Sequence, residues 1–349
     1  MSASTSPGNG LTANHGSALP GRTRSTLIRD IKERLILGTI ILCGVITISI
    51  TILILFILAR EASGFFGGGI TDVQGREANV SLTDFLFTLE WNPLQGSEKE
   101  FGIWPLIVGT FQVTIVAMCI AIPVGLMVAI WLSEFAPPKA RAILKPMIEI
   151  IAGVPTVVFG YFALTFVTPL LQLNFGDWYT GPRNPFDIQI FNVLAAGLTV
   201  GIMCIPIVAS LSEDALRAVP RALREGAYGL GSSRFETSVK VVFPAALSGV
   251  VAACLLAFAR AVGETMIVAL AAGLNPPDLV SGLGRVFELN QGTQTMTGYM
   301  VSVFFGDITT QDSVEYKSVY AVGMTLFLIT LVITIIGAYI RKRFRQQYE

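Results

Sequence analysis

Charge is scarce in this sequence. Asp, Glu, Lys and Arg make up 14% of its 349 residues, where a soluble globular domain carries roughly 25%. Histidine is nearly absent. The single one, His15, lies in a polar stretch near the start, which argues against a Ser-His-Asp enzyme and against a histidine metal centre. No Cys-x-x-Cys occurs. All four cysteines (Cys43, Cys119, Cys204 and Cys254) fall inside apolar runs, where a thiol behaves as a small buried hydrophobe rather than a redox group or metal ligand. No Gly-x-x-x-x-Gly-Lys-Ser/Thr loop is present and no Gly-x-Gly-x-x-Gly follows a strand pattern, so nothing here cradles ATP phosphates. Acidic and basic residues balance at 24 each, so the overall charge points to no nucleic-acid partner.

What replaces charge is hydrocarbon. Hydrophobic residues reach 52% and the mean hydropathy is +0.65, so the solvent for most of the chain is the lipid bilayer. Residues 1–30 are the exception. Rich in Ser, Gly, Thr, Asn and Pro, they read as a disordered tail, and they lack the short apolar region of a secretory signal. Leu35 to Leu58 carries no charge and exceeds the roughly 20 residues a helix needs to cross the hydrocarbon. Further candidate spans run from Trp104 to Leu132, Met147 to Leu173, Ile188 to Leu211, Ala245 to Gly273 and Val319 to Ile340. Pro123, Pro155 and Pro206 do not end them, because neighbouring helices satisfy the carbonyls that a membrane proline frees. The expected organisation is a tail (1–30), a first membrane helix (35–59), an outer segment (60–102), a helical core (103–340) with a long inner loop (212–244), and a basic end (341–349).

Six spans place both termini on one side. The tail, the 133–146 and 212–244 loops and the C-terminus hold seventeen Lys and Arg. The other side holds six: Arg60, Arg76, Lys99, Arg183, Arg285 and Lys317. The positive-inside rule therefore puts both ends in the cytoplasm. On the outer side, residues 60–102 carry seven acids against three bases, and the 274–317 stretch opens Asn275-Pro276-Pro277-Asp278. Both are long enough to fold over a pore mouth or meet a partner, and plain connecting loops fit their composition equally well.

The inner loop between spans four and five carries the most information. Pro220 suits the first position of a helix. Ala222, Leu223, Gly226, Ala227 and Leu230 then recur at helical spacing beside Arg221, Arg224 and Glu225, and Gly231 can take the left-handed conformation that ends a helix. Such a short amphipathic helix needs a surface to lie on, supplied by lipid headgroups, the chain itself or a partner protein. The segment resembles the loop shared by permeases of ABC importers: Glu225-Gly226-Ala227, three residues, Gly231, nine residues, then Val241-Val242-Phe243-Pro244. In that family the loop docks into the nucleotide-binding subunit and transmits its closure to the pore. The resemblance gives Glu225, Gly226, Ala227, Gly231 and Pro244 that coupling role.

Span five contains Arg260 and, four residues on, Glu264. A charge at that depth costs roughly 2.5–3.5 kcal/mol on insertion scales. On a continuous helix the two share a face and can partly neutralise each other. Two readings follow: an ion pair that locks helices together, or an Arg260 that lines an aqueous path for an anion, with Glu264 setting its position. A guanidinium matches two oxygens of phosphate at once. The run Ala259-Arg260-Ala261-Val262-Gly263-Glu264-Thr265-Met266 resembles the matching span of phosphate-importer permeases, the PstC branch rather than its PstA partner. Ile151-Ala152-Gly153-Val154-Pro155-Thr156, continuing to Gly160, is similar to the same branch. Small residues and a proline also serve close helix packing, beside a pore contact at Thr156.

The resemblance implies an all-α membrane protein of the type I ABC-importer (MetI-like) permease fold that is not itself an enzyme. It implies a location in the bacterial inner membrane, a PstA-like second permease, a PstB-like ATPase dimer and a periplasmic PstS-like phosphate-binding protein. The chain needs no cofactor of its own, since ATP and magnesium bind the partner ATPase. A permease for sulfate or molybdate is the neighbouring alternative. An ion-coupled secondary transporter would predict internal repeats that are not seen, and a sensor or scaffold leaves Arg260 and the loop spacing unexplained.

Overall fold

A computed structural model describes residues 24–67, 70–71, 77–78, 80–93, 99–175, 188–280, 282, 286–306 and 313–344. Most of the tail (1–30) and the end of the basic C-terminus therefore lie outside the described residues. The chain divides into two compact units, Met1–Ile57 and Leu58–Glu349. In the first, helix α1 (Arg24–Phe65) begins inside the stretch expected to be tail. It carries an apolar run of mean hydropathy 3.0 and extends into the second unit.

Among the described residues, six helical segments are long and apolar enough to cross a membrane: Lys32–Phe65, Trp104–Phe135, Thr156–Leu173, Val193–Ala218, Arg234–Val262 and Val314–Arg343. The number agrees with the sequence, while several boundaries move for definable reasons. The third span starts at Thr156 rather than Met147. Gly153, Val154 and Pro155 interrupt the helix, because a residue before proline is pushed out of the α region. They separate α4 (Pro138–Ala152) from α5 (Thr156–Phe162), which leaves Glu149 outside the span. The fourth span, α7 (Val193–Ala218), starts where the Asn192 side chain accepts from the Ala195 N–H and caps the helix. The fifth starts earlier, at Arg234, and stops earlier, at Val262.

Among the described residues, three π-turns, Trp131–Phe135, Ala163–Val167 and Ser238–Val242, interrupt these spans. Each ends two residues before a proline: Pro137, Pro169 and Pro244. A proline removes one backbone donor and its ring crowds the carbonyl four residues back. Widening the preceding turn to a π-bulge accommodates both.

The core of the second unit forms where α3 (Trp104–Ile130), α7 and α10 (Phe243–Val262) meet, with Val113, Ala117, Ala196, Val200, Cys204 and Ala257 buried together. Small residues let these backbones approach closely. Gly197 and Gly201 of α7 sit against Val116 and Ala117 of α3. Of the four free cysteines, Cys204 is buried in this core as expected, whereas Cys119 lies on an exposed face of α3.

The outer segment 60–102 is more than a connecting loop. Phe65, Phe85, Trp91 and Phe101 bury against Met296 and Tyr299 of α12 (Met296–Phe304) and Val314 of α13 (Val314–Phe344). Edge-to-face aromatic contacts run through the cluster, including Trp91 on Tyr299 at 4.8 Å. The Tyr299 hydroxyl meets Ser318 at 2.6 Å, and Lys99 pairs with the buried carboxylate of Glu315. The described part of 60–102 is thus built onto the outer ends of the last two helices. The final helix reaches Phe344, so Arg341, Lys342 and Arg343 form its last turn, where cations complement the helix dipole.

Candidate functional site

The intramembrane charges sit at a break in the fifth span. α10 ends at Val262, and the backbone of Gly263 leaves the helix with φ −87° and ψ 3°. α11 (Met266–Ala271) starts after Glu264 and Thr265. The one-face geometry expected for Arg260 and Glu264 therefore does not hold: the helix ends between them, and no ion pair within 4.0 Å joins them. Arg260 lies in the last turn of α10 on an exposed face it shares with Leu256 and Gly263. Glu264 turns inward and is 5% exposed. Its Oε1 accepts from the Ile267 N–H at 3.5 Å, and its backbone carbonyl accepts from Thr297 Oγ1 at 2.7 Å. Thr156 opens α5, half-buried, and is hydrogen-bonded to neither charge.

The break is held from outside the span. The Met296 N–H donates to Thr110 Oγ1 at 3.0 Å, which fixes α12 to α3. Gly109, one residue earlier, allows the 293–295 backbone to lie directly on α3. A Cβ there would overlap the Gln294 carbonyl oxygen and stand 2.6 Å from Thr293 Oγ1. Gly109→Val is accordingly expected to destabilise the fold by about 1–3 kcal/mol or more, the range for overpacking a close contact. A lowered melting midpoint in detergent, with reduced yield, would report it.

On the cytoplasmic side, the loop between spans four and five forms α8 (Arg221–Gly229). Pro220 occupies the N-cap rather than the first helical turn. Gly231 has φ +85° and closes the helix as expected: its N–H donates to the Tyr228 carbonyl, and that of Ser232 to Ala227. The expected apolar stripe splits between two faces. Leu223 and Ala227 turn toward the protein, while Ala222, Gly226 and Leu230 face outward with Glu225. Leu230 is 90% exposed and Phe235 67%, and Gly226, Gly229 and Gly231 have open space beside them. The chain then re-enters helix at α9 (Arg234–Thr237), started by a Ser233–Glu236 capping box, and continues through the π-turn to Pro244, which is exposed.

Two ion-paired carboxylates on the cytoplasmic side escaped the sequence reading. Glu213 is fully buried, 2.6 Å from Arg141 Nη2, 2.8 Å from Lys145 Nζ and 3.9 Å from Arg217 Nε. Lys145 also pairs with Asp214. This clamp joins α4 to α7. Burial lowers the pKa of the Lys145 ammonium, but its bonds to Asp214 and Glu213 outweigh that and hold it above the ordinary lysine value. Because that pKa rises on folding, the stabilisation is complete below about pH 10.5 and is lost only above it. Glu213→Gln leaves Arg141 and Lys145 poorly compensated. It is expected to cost roughly 3–5 kcal/mol, read as a lower melting midpoint at neutral pH. The second carboxylate, Glu134, has a side chain only 6% exposed and meets Arg224 Nη2 at 2.9 Å. The available signal was position: both acids directly follow an apolar run and stand among cytoplasmic cations.

Six spans, a broken fifth helix with a charge at the break, and a short glycine-closed helix offered to the cytoplasm define an all-α permease subunit, a membrane component that carries solute and not an enzyme. The chain belongs to the binding-protein-dependent transport system inner membrane component family, whose model matches residues 121–346. It therefore has the type I importer permease fold, resides in the inner membrane and works with a substrate-binding protein and an ATPase. Among curated relatives, the probable ABC transporter permease protein YqgH of Bacillus subtilis (strain 168) is 32% identical over 282 residues, covering 79% of this chain and 83% of that protein. The phosphate transport system permease protein PstC of Pasteurella multocida (strain Pm70) is 33% identical over 261 residues, covering 71% and 76%. Among solved structures, a bacterial alginate ABC transporter bound to its pentasaccharide-loaded periplasmic protein matches with a TM-score of 0.58 over 90% of this chain and 96% of that one, at 13% identity. That likeness is one of fold alone.

Proposed function

We propose that this chain is the PstC-type permease subunit of an ATP-driven phosphate importer. The observation that carries the reading is Arg260: a permanent cation in an apolar span, exposed on its own chain and, among the described residues, without a carboxylate partner within 4.0 Å. Against hydrocarbon such a group costs roughly 2.5–3.5 kcal/mol. That cost is relieved if this face of α10 borders water shared with a second, PstA-like permease. A fixed guanidinium there binds a tetrahedral oxyanion through two oxygens. Glu264, buried behind the break, holds the local backbone and adds negative charge that keeps the anion from binding too tightly to leave. Thr156, at the start of α5, is a candidate hydroxyl on the same path.

In this reading a PstS-like protein delivers phosphate to the outer face. A PstB-like ATPase dimer, which holds ATP and magnesium, grips the outward face of α8. Its closure moves α8, the two permeases open outward, and phosphate passes Arg260 as they return. Relatives named as phosphate permeases support phosphate over sulfate or molybdate, which a guanidinium alone does not distinguish. The test is ATP hydrolysis by the reconstituted complex with its binding protein. Hydrolysis should rise with phosphate and stay flat with sulfate or molybdate. A rise with sulfate and none with phosphate would reverse the assignment.

A further inference from the structure

α8 is only nine residues long, too short to be stable alone. Its apolar attachment is slight: Leu223 is half-buried and Ala227 is 8% exposed. Between it and the inner end of span two lies a cavity of about 770 Å³, lined by Ser133, Glu134, Arg221, Arg224 and Tyr228 among others. Apolar packing of this helix on spans two and four therefore runs mainly through one side chain, Leu223, which lies against the cluster of Ala129, Leu216 and Val219.

Arg224 crosses the gap. Its Nε donates to both carboxylate oxygens of Glu134 at 3.3 Å, and Nη2 donates to Oε1 at 2.9 Å. The same guanidinium turns its other edge on the C-terminus of α7: Nη1 donates to the Val219 carbonyl at 2.7 Å and Nη2 to that of Leu216 at 2.8 Å. Ser133 Oγ donates to Glu134 Oε1 at 3.0 Å and steadies the acceptor. One planar group thus joins three elements: α8, the π-turn that ends span two, and the end of span four. Its position at a helix C-terminus is also favourable for a cation. Apolar contacts can slide, whereas a guanidinium held on two edges cannot turn without breaking charge-assisted bonds.

We propose that Arg224, braced on Glu134, is the positioning residue that converts movement of α8 into movement of spans two and four. The proposal rests on the importer reading above and adds to it the part that bears the load. An ammonium reaches one partner as a point charge and cannot reproduce the fork. Arg224→Lys should therefore act as a partial replacement rather than a silent one.

The experiment uses the complete complex in proteoliposomes, with phosphate moved per ATP hydrolysed as its readout. Arg224→Gln and Glu134→Gln should each co-purify with the ATPase and keep basal hydrolysis, while phosphate moved per ATP falls about tenfold or more, the scale of losing hydrogen bonds to a charged group. Arg224→Lys should fall between. The Glu134→Gln/Arg224→Gln double variant should be no worse than either single change, because the two act as one unit. An unchanged ratio in any assembled single variant, or losses that multiply in the double variant, would overturn the proposal. If Arg224→Gln does not assemble, Glu134→Gln and Arg224→Lys carry the same comparison. A wild-type complex that hydrolyses ATP but moves no phosphate counts against the importer reading instead. The strut is then judged by the ATP-driven change in spin–spin distance between Trp104→Cys and Leu173→Cys in a chain without its native cysteines. That change should be present in wild type and lost in Glu134→Gln, and its survival there overturns the strut.

Discussion

Arg260→Gln is expected to lower phosphate uptake by the assembled complex about ten- to a hundredfold, the scale of removing a charge-assisted hydrogen bond to an anion. The glutamine is shorter but keeps polarity and a comparable helix propensity, so α10 should fold unchanged. The face it occupies beside Leu256 is not packed within this chain. What disappears is the positive charge that offsets desolvation of phosphate inside the membrane. Arg260→Lys restores the charge without the planar fork and should recover part of the rate. Uptake of radiolabelled phosphate into proteoliposomes containing the full complex reads both variants. Co-purification of the ATPase separates lost transport from lost assembly.

Leu230→Asp should weaken the hold of the ATPase on the permease about 30-fold or more, as expected when an apolar anchor contributing about 2 kcal/mol or more is removed. Leu230 is 90% exposed on the cytoplasmic side, next to the glycine that closes α8, with Phe235 and Tyr228 also outward. Its neighbours Gly226, Gly229 and Gly231 present no side chains, so an incoming surface can reach the backbone of α8 closely. A leucine in this setting behaves as a plug awaiting a socket, and a carboxylate in the same place must be desolvated without a partner. Leu230→Met, which conserves volume and apolarity, should bind nearly as wild type. Titration of the purified ATPase against detergent-solubilised permease measures both.

The spans were legible because a helix in hydrocarbon must be long and apolar, and the chain contains six such runs. Gly231 was legible because a left-handed residue at that spacing strongly favours glycine. The break at Gly263 was not. No proline marks it, and the periodicity of Arg260 and Glu264 fits an unbroken helix. What holds it open is a hydroxyl more than thirty residues away, Thr297 on the Glu264 carbonyl. The outer aromatic cluster was hidden for a similar reason, since Phe65, Phe85 and Trp91 look scattered until α12 and α13 bring Tyr299 and Val314 to them. The split face of α8 escaped because a helical stripe states which residues align but not which neighbour they meet. Glu134 and Glu213 needed the positions of Arg224, Arg141 and Lys145, which lie on other elements.

Everything said of transport depends on Arg260 facing water rather than lipid or a sealed helix contact. The direct measurement places a single cysteine one turn away on the same exposed face, Leu256→Cys, in a chain that keeps Arg260 and whose native cysteines are replaced, and treats the assembled complex with a small charged thiol reagent that cannot cross the bilayer. The aqueous-path account predicts labelling that phosphate slows and that ATP turnover modulates. Labelling by lipid-soluble reagents alone, indifferent to phosphate and to ATP, would contradict it.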